Sequence, residues 1–209
     1  MNLHPDSRVL VAGLGNVRGG DDAFGVVAAR CLMARTLPAG VRVLDAGISN
    51  LRLAGEVVDG QYDTVILIDA VARGEQAGTI SVSRLEVPAT DQGDFDLHGG
   101  RAEQIVAMAQ LMGARVAEAL LVSCEPARFD DYSALSPPVA GAVEAAADTA
   151  LWFAAEASEG TAGAGEAATG SYVRKPTQAP RLPPHVASSA LLADGESRGP
   201  RLLPRPLRR

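Results

Sequence analysis

Short apolar runs rich in β-branched residues recur along the chain, the first three closed by glycine or a carboxylate: Val9–Ala12, Val41–Leu44, Thr64–Ile68 and Ala119–Val122. Runs that are apolar at nearly every position, and not at every second one, fit strands covered on both faces of a parallel sheet. Thr79–Val82 adds a further strand. Between these runs the apolar period lengthens to that of a helix. Phe24, Val27, Cys31 and Ala34 fall at i, i+3, i+7 and i+10 and predict one apolar stripe on a first helix. Ala102–Gly113 offers Ile105, Met108, Ala109 and Met112 in the same way. Further on, Ser136 can cap a helix, Pro137 suits its first position, and Val139, Val143, Ala147, Ala150 and Leu151 line one face. The order βαβ…βα…βα predicts an α/β fold with a doubly wound, mostly parallel sheet.

Beyond Ala157 the periodicity gives way to Gly, Ala and Thr, then to a proline- and arginine-rich end that holds 7 of the 13 prolines. Such a segment has too little apolar surface to offset its ordering entropy, so the chain divides into a folded domain, 1–157, and a disordered basic tail, 158–209. Charge divides in the same place. Residues 1–156 carry 11 Arg and 21 Asp+Glu, a net of −10, whereas residues 157–209 carry 7 Arg, 1 Lys and 4 Asp+Glu, a net of +4. An acidic body argues against nucleic acid, whose phosphates need clustered positive charge. Cys31 and Cys124 form no C-x-x-C pair and no disulfide framework, which suits a reducing cytosol. The first residues lack the basic-then-apolar form of a signal peptide, and no apolar stretch approaches membrane length. The expectation is a cytoplasmic protein with no membrane partner, large enough to bury its own core as a monomer.

The chemistry lies where the predicted strands end. The first strand runs into Gly13-Leu14-Gly15-Asn16, and adjacent carboxylates, Asp21-Asp22, open the following helix. A dinucleotide fold needs a third glycine three residues after the second; that position is Arg18, and Asp45 follows Gly15 by 30 residues where a ribose acid follows by about 20. A tight strand-to-helix turn explains the glycines equally well. Asp21 and Asp22 also fit a capping role at a helix start. Asp69 ends the third run and would sit at the carboxyl edge of a central strand, where open α/β sheets bind ligands, or cap the next turn. His98, in Asp94-Phe95-Asp96-Leu97-His98-Gly99-Gly100, is the third potential donor. Two carboxylates and an imidazole make a mixed set suited to nickel, zinc or manganese. Asn16 and Glu125, with Cys124 beside it, form a second tier. No G-x-S-x-G elbow or H-E-x-x-H helix is present.

Taken together, these segments resemble the hydrogenase maturation endopeptidases. The resemblance runs from about Arg8 to Glu156 through Val9-Leu10-Val11-Ala12-Gly13-Leu14-Gly15-Asn16, Asp21-Asp22-Ala23-Phe24-Gly25-Val26, Val43-Leu44-Asp45-Ala46-Gly47 and Val65-Ile66-Leu67-Ile68-Asp69-Ala70-Val71. It continues with Asp96-Leu97-His98-Gly99, Cys124-Glu125-Pro126 and Leu135-Ser136-Pro137-Pro138-Val139. It implies a three-layer sandwich of phosphorylase/hydrolase-like type, a twisted sheet between helices. It also implies an endopeptidase that removes the C-terminal extension from the large-subunit precursor of a nickel–iron hydrogenase. Asp22, Asp69 and His98 would be the ligands of a nickel ion carried in the precursor, with Asp22 or Asp69 as the base that activates water. Nickel that serves only to dock the precursor is the alternative, as is a non-catalytic checkpoint binder. The chain departs from the family pattern at Asn50, where a glycine is usual in the loop after Asp45-x-Gly47, and in its basic tail.

Overall fold

The computed structural model describes residues 8–85, 101–129 and 134–162. Five strands form one sheet in the order β2-β1-β3-β5-β4, with β1 Val9–Leu14, β2 Val41–Gly47, β3 Thr64–Ala70, β4 Ile80–Arg84 and β5 Glu118–Cys124. The first, second, third and fifth strands run parallel, and only β4 runs against its neighbour, with Ile80 opposite Cys124 and Arg84 opposite Leu120. Each predicted strand is present and extends one to three residues further at an end, because ladder hydrogen bonds carry the backbone past the apolar side chains that announced it.

Among the described residues four α-helices complete the fold: α1 Phe24–Met33, α2 Asn50–Gly60, α3 Arg101–Leu111 and α4 Pro137–Ala162. The pleat of each strand sends alternate side chains to opposite faces. Val9 and Val11 of β1 join Ile66 and Ile68 of β3 beneath α1 and α4, while Leu10, Ala12 and Leu14 join Val65 and Leu67 beneath α2 and α3. The result is three layers with a core on each side of the sheet, the architecture that the strand pattern predicts.

Two helices depart from the predicted detail. On α1 the buried line is Phe24, Ala28 and Leu32 with Gly25 and Ala29; Val27 and Cys31 are half-buried on its flank and Ala34 lies exposed beyond its end. An almost wholly apolar helix has no unique stripe, and the neighbouring α4 decides which side faces inward. The joining segment after β2 is the well-formed α2, capped by Ser49, whose hydroxyl accepts from the Arg52 amide. Asn50 is therefore the first residue of a helix and needs no left-handed backbone; Gln61, at the helix end, is the one non-glycine residue with positive φ among those described. Leu53, Ala54 and Val57 bury one face of α2, and Glu56 is buried beside them because Tyr62 donates to its carboxylate and Arg42 pairs with it at 2.9 Å.

Topology sets the place of the site. From β1 the chain leaves toward β2 on one side, and from β3 it leaves toward β5 and β4 on the other. The loops after two adjacent parallel strands thus part in opposite directions, opening the crevice at which such sheets bind ligands. The last helix runs to Ala162, and residues 163–209, which include most of the predicted tail, lie outside the described residues.

Candidate functional site

The backbone that follows β1 turns tightly. Gly15 has φ 120°, a conformation closed to residues with a side chain, and a Cβ there would fall 1.7 Å from the Asp22 carbonyl oxygen. The turn delivers Asp21 and Asp22 into a single 3-10 turn, Asp21–Ala23, ahead of α1. Close approach continues along α1. A Cβ on Gly25 would lie 2.0 Å from the Ile68 carbonyl oxygen and 2.5 Å from that of Leu14, so the helix rests on the ends of β1 and β3 backbone to backbone.

The two adjacent aspartates do different work. Asp21 is 1% exposed and accepts four hydrogen bonds: from the Ser136 amide at 2.6 Å, the Ser136 hydroxyl at 2.9 Å, and the amides of Ala127 and Arg128 at 2.8 and 3.2 Å. Burial pushes its carboxyl up, but the bonds from Ser136, Arg128 and Ala127 together hold it below the usual carboxylate range. Asp21 is a structural clamp joining the turn to the segment after β5 and the start of α4. Ser136, predicted as a cap, spends its hydroxyl on Asp21.

Asp22 turns into the crevice. Its Oδ2 accepts from the Asn16 amide at 2.9 Å, which fixes the carboxylate without covering it, and its Oδ1 lies 3.7 Å from Nη2 of Arg101. Asn16 holds the turn from within, accepting the Arg18 amide on Oδ1 and the Gly19 amide on its carbonyl. Asp69, at the end of β3, is 4% exposed and, among the described residues, accepts the Ala70 amide at 2.9 Å. Burial pushes its carboxyl up to about 6; Arg101 and the Ala70 bond pull it down, and the negative charges of Asp22 and Glu103 push it up further. Asp22, Asp69 and Arg101 therefore share one electrostatic neighbourhood, although they come from the β1 turn, the end of β3 and the start of α3. His98 lies outside the described residues, and among the described residues no group of three His, Cys, Asp or Glu side chains is placed to hold a metal.

The second-tier residues resolve into supports. Glu125 is buried and accepts the amides of Arg73 and Gly74 at 2.7 and 3.1 Å, pinning the connection from β3 to β4. Cys124 is fully buried, and burial, with Asp21 and Glu125 nearby, pushes its thiol up to about 12, far from a nucleophile's range. Asp45 is held by Arg30 at 2.8 Å and is not free to meet a ribose. Arg101 is the site residue that the sequence pattern does not single out. Its one sequence signal is that it is the sole basic residue between Arg84 and Arg115, just past the His98-Gly99-Gly100 stretch.

Asp22 and Asp69 thus come from the segments that follow β1 and that close β3, the two adjacent strands at the switch point of a mostly parallel sheet. The sequence model of the HycI family, hydrogenase maturation protease, matches residues 26–152, a span that holds Asp69 and His98 and begins just after Asp22. The chain belongs to this family of peptide-bond hydrolases. It is 39% identical over 144 residues to the hydrogenase expression/formation protein HupD of Rhodobacter capsulatus, covering 66% of this chain and 66% of that protein. HupM of Azotobacter chroococcum mcd 1 is 35% identical over 152 residues, with 71% and 72% covered. Among solved structures, the hydrogenase maturating endopeptidase HybD from E. coli superposes with a TM-score of 0.60 at 28% identity, covering 72% of this chain and 93% of that one.

Proposed function

We propose that this protein removes the C-terminal extension of the large-subunit precursor of a nickel–iron hydrogenase, acting once on each precursor after nickel has been inserted. The observation that carries the reading is that the charges of Asp22 and Arg101 both act on the buried Asp69, while Asp21, beside Asp22 in sequence, is consumed as a clamp. Asp22, Asp69 and His98 are the side chains that would be lent to the nickel in the precursor's own cysteine site, so the metal is part of the substrate.

Hydrolysis needs a water made nucleophilic and a leaving nitrogen made neutral. The water oxygen bonds to the carbonyl carbon, the carbon–nitrogen bond breaks, and the water's proton passes to the departing amine. Asp22 or Asp69 is the base that would carry that proton; in the metal-free protein burial pushes the Asp69 carboxyl up to about 6, so it holds a proton more readily than an ordinary carboxylate. Asp22, more exposed and held by a single amide, suits contact with the incoming metal.

Co-expression with a candidate large subunit, read by intact mass with and without nickel, tests the reading. A nickel-dependent loss of a C-terminal peptide is expected, and Asp22→Ala, Asp69→Ala and His98→Ala should each leave the precursor uncut. A stable complex with a precursor of unchanged mass would replace the protease reading with that of a checkpoint binder. Full processing by all three variants would remove these side chains from the chemistry.

A further inference from the structure

Arg101 is the least satisfied charged group at the site. Several arginines elsewhere on the body meet carboxylates closely, Arg30 with Asp45 at 2.8 Å, Arg42 with Glu56 at 2.9 Å and Arg84 with Glu118 at 2.6 Å. Arg101 approaches Asp22 only to 3.7 Å, beyond hydrogen-bond range, so charge alone holds the pair. Its Nη1 is buried and donates to nothing. A buried donor without an acceptor has given up its water without replacement, and proteins retain few of these. The side chain as a whole is 36% exposed, so part of it remains open to solvent. Its charge also acts on Asp69. The site thus contains a planar, always charged fork with one loose pairing and one donor in reserve, anchored at the first residue of α3.

We propose that Arg101 is a substrate-binding residue whose guanidinium turns, when the precursor enters, to donate to the carbonyl oxygen of the bond that is cut. This rests on the endopeptidase reading above. The endopeptidase reading brings a peptide carbonyl, a neutral acceptor, to this place. A carbonyl dipole is accepted, and the negative charge that grows on its oxygen as water adds to the carbon is drawn to the fork. Arg101 keeps its protons throughout; the proton taken from water goes to the leaving nitrogen by way of a carboxylate.

The test compares the full-length protein with Arg101→Gln and Arg101→Lys on a nickel-loaded precursor. Melting temperature, precursor affinity and single-turnover cleavage rate at saturating enzyme are read for each. Arg101→Gln should keep its melting temperature, lose only a few-fold in affinity and cut about 100-fold more slowly, the usual scale for losing one such donor. Arg101→Lys, which restores the charge but not the fork, should recover only part of the rate, and it decides the matter if the neutral variant fails to fold. Cleavage by Arg101→Gln at the unaltered rate overturns the proposal. So does full restoration by Arg101→Lys, which would leave Arg101 as a bare countercharge. If the unaltered protein binds precursor without cutting it, the endopeptidase reading falls and this proposal with it; if the unaltered protein cuts and Arg101→Gln cuts equally well, only the role of Arg101 falls.

Discussion

Asp69→Asn is expected to strengthen the fold at neutral pH while abolishing processing. The buried carboxyl of Asp69 stands at about 6 against an ordinary value of 3.8, so the folded protein holds its proton more tightly than the unfolded chain does. The favourable contribution of that proton is complete below pH 3.8 and is lost as pH rises through about 6. Above that, the fold carries an ionised group in a poorly solvated place. Roughly two pH units at about 1.4 kcal/mol each set the cost at about 3 kcal/mol by pH 7.5. Asparagine has no proton to lose, fills the same volume, and its side-chain oxygen can still accept the Ala70 amide. The variant should therefore match the unaltered protein near pH 4 and exceed it by up to about 3 kcal/mol at pH 7.5. For a domain of this size that is about 6–12 °C in melting temperature. Urea unfolding of both proteins from pH 4 to 8, with chelator present to keep metal off the carboxylates, measures the difference directly. A difference that does not change with pH, or an Asp69→Asn variant weaker at pH 7.5, would refute the argument that burial governs this group. The accompanying loss of cleavage would then identify a residue kept for its chemistry at the expense of stability.

Asp21→Ala should destabilise the protein by about 3–5 kcal/mol, because three backbone amides and a hydroxyl lose a charged acceptor, and chemical denaturation reads the loss. Since Asp21 is held below its usual range, its contribution is present above pH 3.8 and disappears only as pH falls further, so the clamp should outlast ordinary carboxylates in acid. Gly25→Ala sets a methyl 2.0 Å from the Ile68 carbonyl oxygen and should cost about 3 kcal/mol or yield insoluble protein, where Gly141→Ala, with open space around it, should be tolerated. Ile48 and Leu51, 69% and 66% exposed beside the β2 edge of the crevice, should weaken precursor binding at least several-fold when changed to glutamate, with an unaltered melting temperature. Equal binding by those variants would place the precursor elsewhere.

Legibility in the sequence followed burial. The strands of the sheet were readable because both faces are covered and apolar residues crowd every position; β3 is buried along its whole length. The start of α4 was readable from Ser136-Pro137. The second helix was not singled out, because Glu56, Arg42 and Tyr62 place their charge and hydroxyl inside, where a hydrophobic pattern leaves no mark. The apolar face of α1 was misjudged by one position in the turn because nearly all its residues are apolar and only contact with α4 selects among them. At the site, spacing located the Asp21-Asp22 pair but gave no means to divide their labour. That division depends on Ala127, Arg128 and Ser136, more than a hundred residues away. Arg101 was missed for a related reason: an arginine at a helix start looks like any solvated charge until its missing partner is seen.

Backbone contact between α1 and the ends of β1 and β3 carries a consequence for how such a protein can vary over time. Asp22 lies two residues before α1 and Asp69 is the penultimate residue of β3, so the spacing of the two carboxylates is tied to where Gly25 rests against Ile68 and Leu14, and where a Cβ on Gly13 would meet the Gly25 carbonyl oxygen at 2.0 Å. Around Gly25 the nearest contacts at that seam are backbone atoms of Ile68 and Leu14. Leucines, valines and alanines elsewhere in either core can be exchanged for one another, with the layers drifting by fractions of an ångström, and the reactive gap stays the same. The gauge is built from glycine and peptide, leaving the rest of the core free to diverge while the chemistry holds its spacing.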